Sequence, residues 1–174
     1  AAARQRLLAA LQGWLLRELA PLDPLRKPDA ASSDPGAGPE LRALLIRLTE
    51  SGGLLERAGS ALDRLDKAQR ERLRQLGVRV GALDLFVPAM LRPAPLAAWR
   101  TLLAVRGEAM GAPVPAMPPV VALTGKDRPP PGYRALGRQA LRIDLAEKLL
   151  RTAHGVRVTA GSKSFVLDPA LAIS

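Results

Sequence analysis

The sequence contains no cysteine and a single histidine, His154. Without cysteine there can be no disulfide, no thiolate metal site and no cysteine nucleophile, and one imidazole excludes zinc sites and catalytic dyads that need two. Aromatic residues make up only 3% of the chain, too few for the platforms on which bases of a single strand stack. A packed interior therefore has to be built from leucine, alanine and valine. Long apolar runs are missing as well. Leu7–Leu11 and Val120–Leu123 fall far short of the ~20 residues of a membrane-spanning helix. Gln12, Arg17 and Glu18 interrupt what would be the apolar centre of a signal peptide. No membrane partner is expected, and the lack of cysteine fits a cytoplasmic, reducing compartment.

A phosphate loop is also absent. Backbone amides and a lysine converge on one phosphate only when a glycine loop of fixed length precedes Lys-Ser/Thr. Thr124-Gly125-Lys126-Asp127 lacks the upstream glycine and the following hydroxyl, and Gly161-Ser162-Lys163-Ser164 is one residue out of register. Both read as turns. With no catalytic constellation and no cofactor or metal site of its own, this chain alone is not expected to be an enzyme.

What is present is material for a core. Of 174 residues, 48% are hydrophobic, enough for one domain or two small lobes about a shared interior. Leu8, Leu11, Leu15 and Leu19, with Trp14 beside them, predict an amphipathic helix over residues 4–20. The proline- and glycine-rich run from Pro21 to Pro39 predicts a linker or long loop. The expected organisation is a helix over 1–20, a linker over 21–39 and a mainly helical domain over 40–174. Within that domain Leu41, Leu44, Leu45 and Leu48 predict a helix that Gly52-Gly53 ends. Asp66 and Gln69 have capping-box spacing, Val78-Arg79-Val80 alternates like an edge strand, and Leu83–Leu91 is apolar enough for the core. Leu96, Trp99, Leu102 and Leu103 share one side of another helix, and Val120–Leu123 reads as a short strand.

Asp144 and Glu147 read as a second capping box rather than a paired-carboxylate site. Their helix should end at His154-Gly155, where a cationic ring would face unpaired carbonyls. Val156-Arg157-Val158, a turn over Thr159–Ser164 and Phe165-Val166-Leu167 predict a short β-hairpin near the C-terminus. The expected fold class is mainly α with a minor β element. The sequence stops just after Asp168-Pro169, a pair that commonly opens a helix, so it reads as a piece of a longer protein.

The charge is unevenly spread. Of the net +10, residues 1–63 contribute nothing, with 8 basic and 8 acidic side chains; residues 64–127 hold 10 against 5, and residues 128–174 hold 8 against 3. A general preference for arginine would act along the whole chain, so a surplus confined to the last two-thirds points to a surface that meets phosphate. Arg70, Arg72 and Arg74 lie on one predicted helix. Arg134, Arg138, Arg142, Arg151, Arg157 and Lys163 are the expected contacts to a nucleic-acid backbone, with little sequence selectivity. The alternative is a protein-interaction module that docks a partner through the amphipathic helix 4–20.

Several strings resemble a known family in the same order. They are Leu76-Gly77-Val78-Arg79-Val80-Gly81, then Leu85-Phe86-Val87-Pro88-Ala89-Met90-Leu91-Arg92-Pro93, then Gly132-Tyr133-Arg134-Ala135-Leu136-Gly137. Ile143-Asp144-Leu145-Ala146-Glu147-Lys148-Leu149-Leu150 and Phe165-Val166-Leu167-Asp168-Pro169-Ala170-Leu171-Ala172 complete the set. Together they are similar to the C-terminal region of alphaproteobacterial superfamily 2 helicases related to the mitochondrial degradosome RNA helicase, over roughly residues 40–174. The resemblance implies an accessory helical domain of an ATP-driven enzyme that unwinds nucleic acid, RNA in particular. ATP and magnesium would sit in two motor lobes upstream, which become a partner within the same polypeptide. No Walker A loop, Asp-Glu-x-His box or arginine-finger motif occurs here, so no catalytic residue carries over. On its own the chain is expected to hydrolyse no ATP and to bind no nucleotide at micromolar concentration. Turnover and nucleotide-binding measurements on the purified chain check this.

Overall fold

In a computed structural model that describes residues 2–59, 61–108, 117–124 and 129–160, the chain is mainly α-helical with two small antiparallel sheets. Helix α1 (Ala2–Leu19) passes through a 3-10 segment (Ala20–Leu25) into α2 (Arg26–Ser32). A second 3-10 turn (Pro35–Ala37) leads into α3 (Pro39–Glu50). Strands β1 (Leu54–Glu56), β2 (Arg79–Val80) and β3 (Asp84–Phe86) form the first sheet in the order β1-β3-β2, with α4 (Lys67–Gln75) connecting β1 to β2. Helix α5 (Pro93–Val105) follows a 3-10 turn at Pro88–Leu91. The second sheet has the order β4-β6-β5, built from β4 (Val120–Ala122), β5 (Tyr133–Leu136) and β6 (Gln139–Arg142). Helix α6 (Ile143–Ala160) runs directly out of β6.

The main core forms around α3. Pro39 occupies its first turn, where a missing N–H costs nothing, and Leu41, Leu44, Leu45 and Leu48 are at most 1% exposed. Burying each is worth roughly 1.5–3 kcal/mol. The helix ends where expected: Gly52 and Gly53 take left-handed φ values of 71° and 82°, and Gly53 N–H donates to the Leu48 carbonyl at 2.8 Å. Leu62, Leu65, Leu73, Val78, Leu85, Val87 and Met90 complete this core. The expected capping box also forms. Asp66 Oδ1 accepts from Gln69 N–H at 2.8 Å, and Gln69 Oε1 accepts from Asp66 N–H at 3.1 Å. A smaller cluster of Met117, Tyr133 and Ala140, with Leu96 against it, lies on the second sheet.

Residues 21–39, expected as a linker, are instead folded onto the main core. Leu25, Pro28, Ala31 and Ala37 are buried. A Cβ on Gly53 would come within 2.9 Å of Leu25 Cδ2, so the glycine makes room for this segment. Arg42 Nε donates to the Ser32 carbonyl at 2.9 Å, and Arg72 pairs with Asp34. The prolines misled because Pro21, Pro35 and Pro39 stand at the starts of helical segments, where proline is tolerated, and Pro24 is accommodated inside a 3-10 segment.

The expected hairpin at 156–167 is also corrected. Val156-Arg157-Val158 belongs to α6, which passes through Gly155 with Thr159 Oγ1 donating back to the Gly155 carbonyl at 3.0 Å. Three alternating residues make a strand only beside a partner strand, and β6 is already paired on both edges. Phe165-Val166-Leu167, like Lys163, lies outside the described residues. The hairpin that forms is β5–β6, from Tyr133 opposite Arg142 to Leu136 opposite Gln139, turning at Gly137.

Helix α1 forms as expected but has no buried residue. Replacing Leu45 by alanine is expected to cost about 2–5 kcal/mol, whereas Leu15→Ala on α1 should cost under about 1 kcal/mol. Chemical denaturation of both variants checks this contrast.

Candidate nucleic-acid interface

One carboxylate docks α6 onto the first sheet. Glu147, 5% exposed, accepts the backbone N–H groups of Ala82 at 2.6 Å, Leu83 at 2.9 Å and Asp84 at 3.2 Å. Ala82 and Leu83 belong to the β2–β3 turn and Asp84 opens β3. A Cβ on Gly81 would lie 2.2–2.4 Å from the carboxylate atoms, so only glycine admits this approach. The capping box expected at Asp144 and Glu147 is therefore not formed. Glu147 is engaged across the structure, and Asp144 accepts from Arg142 Nε and Nη2 at 2.7 and 3.0 Å.

A second polar link runs beside the first. Arg134 Nη1 donates to Asp84 Oδ1 at 2.7 Å and Nη2 to Glu56 Oε1 at 3.0 Å, tying β5 to β3 and β1. Burial pushes the Asp84 carboxyl above its ordinary value, against the opposing pull of the Arg134 guanidinium. Asp84 Oδ2 is buried with no hydrogen-bond partner.

These links place a line of cations along the β2 edge. Arg57, Arg151 and His154 line a cleft of about 290 Å³ over Gly81 and Ala82. A second cleft shares Arg57 and Val80 with it and adds Arg70 and Arg74. A third, of about 510 Å³, shares Arg74 and Val80 and adds Arg79. A fourth shares Arg79 and Pro88 and adds Arg92 and Arg142. The shared lining residues make these clefts neighbours in a row, an arginine track, on the surface around β2. Each of three clefts also holds one carboxylate: Glu147, occupied by three backbone N–H groups, lines the first, Asp63 the second and Asp144 the fourth. Glu71 pairs with Arg74 at 2.7 Å, but both side chains are more than half exposed, so solvent weakens that pair. Guanidinium forks spaced along a groove suit successive phosphates.

The six candidates from the sequence divide. Arg151 lies on the track. Arg142 lines its far end while held by Asp144 and by the Met117 carbonyl. Arg134 is a strut rather than a free cation. Arg138 is exposed at the β5–β6 turn, outside these clefts. Arg157 is exposed on α6, about 120° around the helix from Arg151. Lys163 is outside the described residues. Sequence reasoning passed over Arg57, Arg79 and Arg92. Arg79 had a local signal, being the polar member of Val78-Arg79-Val80 and so the outward side chain of a strand; Arg57 and Arg92 had none. His154, expected at a helix end, is inside α6.

Among the described residues no helix is long and apolar enough to cross a membrane, and no group of three or more His, Asp or Glu side chains could hold a metal ion. No family model, curated protein or solved structure matches this chain.

Removing the Glu147 carboxylate leaves three N–H groups without their acceptor, so Glu147→Ala is expected to lower stability by about 2–4 kcal/mol. Asp84 holds its proton more tightly folded than unfolded. Its contribution to stability therefore grows as pH falls through the window between its raised value and 3.8. The unfolding free energy of the parent relative to Asp84→Asn should rise between about pH 7 and about pH 4, measured by denaturant titration.

Proposed function

We propose that this chain is the accessory nucleic-acid-binding region of an ATP-dependent helicase, holding the phosphate backbone along the arginine track from Arg92 to His154. The observation that carries this reading is the row of neighbouring clefts that share Arg57, Arg74 and Arg79 as lining residues. The scarcity of aromatic residues makes recognition backbone-dominated and tolerant of sequence. RNA is the nucleic acid to which the helicase resemblance points, and ATP with magnesium belongs to the motor lobes. The cytoplasm is the proposed site of action. The exposed apolar side of α1 supports a second reading, in which the chain also docks a protein partner through that helix.

Arg79 and Arg151 are exposed and make no ion pair among the described residues, so reversing them should leave the fold intact. The double variant Arg79→Glu, Arg151→Glu is expected to bind single strands of every sequence more weakly. It should also flatten the log–log salt dependence by roughly 0.7–0.9 per lost contact. Arg138→Glu, off the track, should leave affinity nearly unchanged. A folded double variant that binds as tightly as the parent at low salt overturns the reading.

A further inference from the structure

Helix α1 carries a surface that the rest of the described chain leaves uncovered. At about 100° per residue, Trp14, Leu7, Leu11, Leu15, Leu8 and Leu19 fall in a stripe roughly 140° wide. Leu7, Leu8, Leu11, Trp14 and Leu15 are between 48% and 61% exposed. Two charges stand inside the same stripe, Arg4 at its start and Glu18 at its end. Neither has an ion-pair or hydrogen-bond partner among the described residues. Each also opposes its own helix dipole, with the cation near the N-terminus and the anion near the C-terminus. No acidic residue in the first turn offsets Arg4.

We infer that α1 pairs antiparallel with α1 of a second copy of this chain. The stripe is self-complementary in that arrangement. A two-fold axis at Leu11 sets Leu7 of one copy against Leu15 of the other, Leu8 against Trp14, and Arg4 against Glu18, each contact occurring twice. The misplaced charges are then accounted for. Arg4 meets an opposite charge and the negative end of the other helix, and Glu18 meets the positive end. A parallel pair would set Arg4 against Arg4 and Glu18 against Glu18. With 18 residues in α1 the seam is about 27 Å long, shorter than a standard interface, so the dimer is a micromolar one. Nucleic acid plays no part in the pairing, which stands or falls independently of the arginine track.

Sedimentation of the nuclease-treated chain over a range of micromolar concentrations should show a reversible monomer–dimer equilibrium. Leu11→Lys should leave a monomer throughout. Arg4→Glu and Glu18→Arg should each weaken association by roughly ten-fold, and the two together should restore it to within about two-fold of the parent. Because the chain has no cysteine, single cysteines report the register directly. Leu11→Cys should oxidise to a covalent dimer and Leu15→Cys alone should not, while a mixture of Leu7→Cys and Leu15→Cys should cross-link. Circular dichroism confirms that each variant is folded, as expected for changes on a helix that buries no residue. The inference is overturned by a parent that stays monomeric, whether or not α1 then binds vesicles or another protein. It is equally overturned by Leu15→Cys cross-linking as readily as Leu11→Cys, or by a charge-swapped double variant that fails to recover association.

Discussion

The structure depends on the Glu147 carboxylate accepting three backbone N–H groups, two from the β2–β3 turn and one from the start of β3. Two residues of turn and one of strand would otherwise present unpaired donors near the surface of the first sheet, and a buried unpaired donor is costly. Glu147 satisfies them from a helix more than sixty residues later in the chain. The contact is a fastening as well as a cap, because Glu147 is one turn from Arg151 and two from His154. Whatever fixes Glu147 over Gly81 also fixes those two side chains beside Arg57. The β2 edge and α6 thereby become two walls of one groove.

Arginine does two jobs in this chain, and the difference is decided by which carboxylates lie in reach. Arg134 reaches Asp84 and Glu56, and Arg142 reaches Asp144. Arg134 links the two sheets beside the small core of the second, and Arg142 holds the end of β6 to the start of α6. Arg79 and Arg151 have no carboxylate partner among the described residues and remain in solvent. Part of the surplus of positive charge thus lies around β2, while Arg138 and Arg157 are exposed away from it. Burial of Asp84 with one unpartnered oxygen shows the strain of the arrangement, since desolvation outweighs the help of Arg134.

Helix α1 obeys a different logic. Its stripe of leucines and its reversed end charges agree with one another but not with the rest of the described chain, which buries no residue of it. Amphipathic periodicity specifies that a helix needs an apolar neighbour; it does not say which molecule supplies one. The partner is written in the charges flanking the stripe, which match when the helix meets itself reversed.

Local physics was legible in the sequence wherever an element answers to its own neighbours. The leucine period of α3, its Gly52-Gly53 stop, the Asp66–Gln69 box and the mainly helical class with minor β all follow from spacing and backbone chemistry within a few residues. Tertiary structure decided the rest, because there a residue has a local partner and a distant one, and the distant one prevails. Asp144 and Glu147 have the spacing of a capping box, but three N–H groups of a distant turn outcompete one at a helix end. The prolines of residues 21–39 read as a linker until Leu25 and Ala31 find the space beside Gly53 and α3. The net charge was visible from composition, yet its division into struts and track was not. A guanidinium is free or bound according to which carboxylate the fold brings within about 3 Å, and no spacing along the chain encodes that distance.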